Sequence, residues 1–156
     1  IESIVLTGNS LLQQRADRPK ILTGRESQVS AQHAVAATLI FGKAGLWEFS
    51  DEAVHDPRVL EFRKRVSIKV DDSVAVSNAR LDVIYRGGRT ERIEVKDARG
   101  TDNRPLTDAE LEAKFRLLAS TYASDCMQRE ELIDAIWSLD TRDDSGAIMA
   151  YAVPRS

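Results

Sequence analysis

A chain of 156 residues, 42% hydrophobic and 30% charged, is long enough for one domain with a real core and has the composition of an ordinary globular protein. Its net charge of −3, with Lys and Arg scattered among Asp and Glu, gives no electrostatic pull toward nucleic acid or an anionic membrane. The single cysteine, Cys126, excludes an internal disulfide and has no zinc-ligand spacing around it; no apolar run approaches the roughly 20 residues that span a bilayer, so a reduced, cytoplasmic setting is expected.

Ile1 to Thr7 has a strand pattern, ended by Gly8-Asn9. The chain enters that strand with no lead-in and begins with Ile rather than Met, so it is expected to be a piece of a longer polypeptide, a tag-cleaved or processed full protein being the alternative. Leu11 to Thr23 is mixed, carries Pro19 and is expected to be a long connection. Ser30 can cap a helix to about Phe41, with Gly42 at the C-terminal glycine position. Val29, Ala36, Ala37 and Ile40 form one face of it and Val35, Leu39 and Phe41 lie elsewhere, a pattern that predicts burial on more than one side. A helical turn follows from Ser50 or Asp51 through Val54, and Asp56-Pro57 starts another helix with Val59, Leu60, Phe62 and Val66 as its apolar set.

Ser67 to Val70 is predicted to be a strand. Ala79 to Tyr85 alternates, with Leu81, Val83 and Tyr85 on one face; Gly87-Gly88 marks a hairpin turn, and Thr90 to Val95 returns with Ile93 and Val95 inward. Asp97 to Pro105 is a polar loop. Thr107-Asp108-Ala109-Glu110 is a capping box for a helix bearing Leu111, Phe115, Leu118 and Tyr122. A last main helix runs from about Arg129 to Leu139 with Leu132, Ile133, Ile136 and Trp137 apolar, and Gly146 to Ala152 forms a short one. The sum is a single α+β domain over 1–156: about four strands, mostly antiparallel, covered by helices.

The residues carry no phosphate-binding glycine loop, dinucleotide fingerprint or paired-histidine metal motif. Ser30 and His33 lie one helical turn apart, but no orienting carboxylate accompanies them, and a helix cap explains Ser30 more simply. His33 has two readings: a histidine hydrogen-bonded at a helix start, or a proton-transfer group whose ordinary pKa lies near neutrality. The residues favour the first. His55, in a turn, is expected to be exposed and without a role. The loop with Lys96, Arg99 and Arg104 around Gly100, next to a helix N-terminus, could bind an anion or be an ordinary polar loop. Cys126 has no activating partner, and Asp143-Asp144 is a metal-friendly pair of a kind common on surfaces.

Three stretches in this order resemble the C-terminal domain of the MmgE/PrpD family, which includes 2-methylcitrate dehydratase, cis-aconitate decarboxylase and iminodisuccinate epimerase. They are Glu26 to Ser30 followed by "AQHAVAATLIFGKAGLWEFSDE", Asp56-Pro57-Arg58-Val59 leading to a strand, and "RGTDNRPLTDAELEAKF" from Arg99 to Phe115. Glu26, Ser27, Ser30, Gly42, Phe49, Gly100, Pro105, Leu106, Lys114 and Phe115 match; Val29 stands where the family often has Phe, and His33 where an aromatic residue or His is common. The resemblance implies a lid-type domain of a two-domain lyase or isomerase that uses no metal and no organic cofactor, forms a homodimer and moves a proton next to a carboxylate of a small polycarboxylate. It implies that a helical N-terminal domain, and a histidine-bearing helix before the first strand, supply much of the site. His33 would then line the interdomain cleft as a catalytic group, and Lys96, Arg99 and Arg104 would hold substrate carboxylates. This chain alone is expected to be inactive. A non-catalytic α+β binding or oligomerisation module is the other reading, distinguished by a polar surface on every side rather than an exposed apolar patch.

Overall fold

The computed structural model describes residues 1–122 and 128–153, with Cys126 and the Tyr122 side chain outside the description. It falls into two compact units, residues 1–104 and 105–156.

The first unit holds a four-stranded sheet in the order β2-β1-β3-β4, built from β1 (Ser3–Gly8), β2 (Val66–Val70), β3 (Ala79–Ile84) and β4 (Thr90–Val95). β1 pairs with β2 in parallel, and with β3 antiparallel, as β3 does with β4. The parallel pair requires a crossover, which five helices provide: α1 (Ser10–Ala16), α2 (Gly24–Ser27), α3 (Ala31–Phe41), α4 (Asp51–His55) and α5 (Pro57–Arg63). The antiparallel pair β3–β4 closes through Gly87 and Gly88, whose φ values of +91° and +84° are cheap for glycine.

Strand register gives the sheet two unlike faces. Ile4, Val66 and Val83 lie on one face and form the centre of the core, with Val35, Phe62, Leu81 and Tyr85 packed against them. The opposite face carries Lys69, Arg80, Asp82, Arg92 and Glu94; Asp82 and Arg92 sit directly across β3–β4 and form a forked pair at 2.6 and 3.1 Å. The alternation is that of a sheet covered on one side.

Several expectations are corrected. Leu11 to Thr23 is not all connection: Asn9 caps α1 by accepting from the Leu12 N–H at 3.2 Å, and Asp72 accepts from the Ser10 N–H at 2.8 Å. The Asn9 cap signal stood in the sequence, but α1 buries no residue, so no apolar stripe betrayed it. α3 is capped by Ser30 and ends on Gly42 at φ +75°, as expected, yet its enclosed positions are Gln32, His33, Ala36 and Ala37, while Leu39 and the preceding Val29 are half-exposed. The small alanines let α3 lie close to α5, so one side is filled and the other stays open. Ile93 lies on the core face of the sheet opposite Leu81, as expected, yet it stays 54% exposed because β4 is an edge strand.

In the second unit Thr107 and Glu110 cap α6 (Asp108–Tyr122) reciprocally, at 2.9 and 3.3 Å. α7 (Arg129–Trp137) stops short of Leu139, which begins a 3-10 turn, and a second 3-10 segment spans Ser145–Ala152. Ala119, Leu132, Ile133 and Ala135 are buried, but Leu111, Ile136 and Trp137 of the expected apolar faces are about half-exposed. Arg116 bridges the two helices by a forked pair with Glu130 at 2.9 and 2.6 Å. Among the described residues no helix is long and apolar enough to cross a membrane.

Candidate functional site

The segment from Thr23 to Phe49 organises the first unit's helical layer, and its polar residues are tied to one another. Thr23 and Glu26 form a capping box at the start of α2, and the Leu22 N–H donates to Glu26 at 2.7 Å; these backbone bonds hold the Glu26 carboxyl below its ordinary range. Ser27, fully enclosed, donates to the Gly24 carbonyl at 2.6 Å. Ser30 accepts from the His33 N–H at 3.2 Å and donates to the Arg18 carbonyl at 2.7 Å. Gln32, also buried, accepts from the Arg18 N–H at 3.2 Å and donates to Asp17 at 2.5 Å. Glu26, Ser27 and Ser30 are thereby used in capping and strapping the backbone.

His33 is fully enclosed within the first unit. Its Nε2 lies 2.8 Å from the Glu48 carbonyl, and its ring meets Phe49 edge-on at 5.4 Å. A carbonyl only accepts, so Nε2 carries the hydrogen; Nδ1 then holds a lone pair with no partner. Protonation would place a second N–H on Nδ1 with nothing to receive it. Burial pushes the pKa below its ordinary value, the Glu48 bond draws it back up, and the Arg63 charge lowers it further. The imidazole is therefore set up as a neutral hydrogen-bond donor that pins α3 to the Trp47–Phe49 turn. Glu48 is itself buried; its carboxylate accepts from the Gly45 N–H at 2.8 Å and lies 3.5 Å from the Lys43 ammonium.

Lys96, Arg99 and Arg104 are exposed on the loop after β4. That loop folds on itself: the Gly100 N–H donates to the Arg104 carbonyl at 2.7 Å, Thr101 donates to Ala98 at 2.8 Å and Asn103 donates to Asp97 at 3.0 Å, with Gly100 at φ +92°. The three cations share this loop and His33 stands apart from them, since its ring nitrogens bond to none of them. In the second unit, the first turn of α6 bears Asp108 and Glu110 and is already capped, which leaves little for an external anion there. His55 is exposed, as expected, with Nδ1 2.7 Å from the Asp51 carbonyl. Asp144 caps Gly146 at 2.8 Å, and among the described residues no group of three or more His, Cys, Asp or Glu side chains could hold a metal ion.

Two buried charges, Glu48 and Arg63, escaped sequence reasoning. Glu48 had a weak signal in its position between two aromatic residues of an otherwise apolar turn. Arg63 had none, for it stands in a run of three cations, "RKR", that reads as a solvated face.

No curated protein matches the chain significantly. The model of the MmgE/PrpD C-terminal domain matches residues 1–139, which span the sheet, its helical layer and both α6 and α7. On that match, over most of its length, the chain belongs to the MmgE/PrpD family as a C-terminal domain.

Proposed function

We propose that this chain is the lid-type portion of a lyase or isomerase that moves a proton next to a carboxylate of a small polycarboxylate, 2-methylcitrate dehydration being the reaction to test first. The family match carries the reading. It is supported by an apolar groove of about 320 Å³ left open between α3 and the sheet, lined by Ile4, Val35, Leu39, Leu81, Val83 and Ile93. A helical N-terminal domain packing there would bury Leu39 and Ile93, which otherwise expose about half their surface. The parent would work as a homodimer in the cytoplasm.

Within that reading the chain's own residues divide their work. Lys96, Arg99 and Arg104 offer exposed cations on one short loop, suited to charge-assisted bonds with carboxylates. His33, enclosed and bonded to Glu48, could reach a substrate only if the Trp47–Phe49 turn moved; its geometry favours holding that turn over transferring a proton. The base and proton donor then come from the helical domain.

The experiment is a turnover assay on 2-methylcitrate and cis-aconitate, with this chain alone and with the full-length parent. The chain alone should be inactive and the parent active. In the parent, Lys96→Ala and Arg104→Ala should each raise KM roughly tenfold with little change in kcat, as expected for a lost charge-assisted bond. Robust turnover by the chain alone, or a parent active on no small polycarboxylate, would sink the proposal. The second outcome would leave the binding or oligomerisation module standing.

A further inference from the structure

Arg63, the last residue of α5, is only 9% exposed. Among the described residues it is in no salt bridge, and its Nη1 is sealed from solvent with no hydrogen-bond acceptor. A guanidinium cannot escape this position by losing its proton in any accessible pH range, so its charge stays and needs an acceptor. The carboxylates of its own helix are committed elsewhere: Glu61 to Lys64 and Arg65 at 3.2 and 3.3 Å, and the cap residue Asp56 to Arg58 at 2.8 Å.

Arg63 also lines a cleft of about 630 Å³ between α5 and the Pro19–Leu22 segment. Two more cations, Lys20 and Lys64, stand on its walls; Ile21, Leu60 and Val66 supply apolar surface, and no carboxylate lines it. Of the three positive side chains around this cleft, Lys64 is paired with Glu61 at 3.2 Å, while the buried Arg63 keeps an Nη1 with no acceptor, which leaves the site short of an anion at Arg63. We propose that this cleft binds a small oxyanion, a carboxylate or a phosphate, with Arg63 as the anchoring donor and Lys20 and Lys64 as the rim. Recognition would follow from one guanidinium and two ammonium groups lining the same cleft, a combination suited to a ligand with more than one oxyanion group. The inference stands on the cleft alone and does not depend on the reaction proposed above.

The test is a titration of the 156-residue chain with citrate and, separately, with inorganic phosphate, each against sodium chloride at matched ionic strength. Backbone amide shifts of Lys20, Ile21 and Leu22 and the Arg63 Nε–H signal report the cleft. Saturable shifts with citrate or phosphate, not reproduced by chloride, are expected; whichever of the two binds more tightly identifies the chemistry of the source. Arg63→Met should abolish saturation, and the double change Lys20→Ala, Lys64→Ala should weaken affinity about tenfold. The double variant alters exposed side chains only and serves if Arg63→Met does not fold. No saturation with either anion, equal shifts with chloride, or affinity unchanged in the double variant would each overturn the proposal.

Discussion

At the level of single residues, the state of His33 follows from what surrounds it. Nε2–H is spent on the Glu48 carbonyl at 2.8 Å, the enclosed Nδ1 faces no acceptor for a second proton, and the Arg63 charge bears on the ring. Burial, the missing acceptor at Nδ1 and the Arg63 charge make the imidazolium costly and outweigh the Glu48 bond, which favours it, so the folded pKa lies below the unfolded value near 6.5. The unfolded chain then binds the proton more readily than the folded one. The stability contributed by neutral His33 is complete above about pH 6.5 and is lost as pH falls from there through the lower folded pKa. Denaturant titrations between pH 8 and pH 4 should show this decline, and His33→Gln, which can keep a donor toward Glu48, should flatten it. His55 is present in both proteins and cancels in the comparison. An unchanged slope in the variant would mean that His33 is not held neutral. Sequence alone could offer the choice between a structural and a proton-transferring histidine; the carbonyl that decides its tautomer comes from fifteen residues away, on a turn whose position no local pattern specifies.

At the level of elements, the helical layer is held by backbone contacts that depend on one glycine. A Cβ on Gly24 would stand 2.4 Å from the Phe49 carbonyl oxygen and 2.9 Å from the Ser50 carbonyl carbon. Both are backbone atoms, so neither can swing aside as a flexible side chain would. The Gly24 N–H also donates to Asp51 at 2.5 Å, which ties α2 to α4 at the same place. Gly24→Ala should therefore lower stability by about 1–3 kcal/mol, read as a shift in denaturation midpoint without a change in slope. The control is Gly42→Ala: no atom lies within 4 Å of its Cβ position, so its cost would come from positive φ alone, at +75°. Elements with local signals were legible: α3 between Ser30 and Gly42, α5 after Asp56-Pro57, the β3–β4 hairpin at Gly87-Gly88, and the Thr107 capping box. α1 and α2 were not, because one buries nothing and the other is a single turn. The parallel pairing of β1 with β2 joins segments some sixty residues apart and has no sequence signature of its own.

At the level of the whole molecule, the two readings of function differ in the fate of the groove between α3 and the sheet. If the domain stands alone, Leu39 and Ile93 are scattered surface hydrophobics of the kind every protein tolerates. If a helical domain packs there, they are interface residues, and changing them should uncouple the domains without harming the fold of this one. Both side chains are about half-exposed, so Leu39→Ser with Ile93→Thr should alter the stability of the 156-residue chain by no more than about 0.5 kcal/mol per site. In the full-length parent the same pair should cut turnover at least tenfold and lower the temperature at which the domains unfold together. Ile4→Ala provides the contrast: Ile4 is fully buried at the centre of the sheet, and its truncation should destabilise the isolated chain by about 2–5 kcal/mol. A parent that keeps full turnover and a single unfolding transition with Leu39 and Ile93 replaced would remove the groove from the argument for a lid. The family membership would stand, because it rests on the match over residues 1–139 and not on what covers that face.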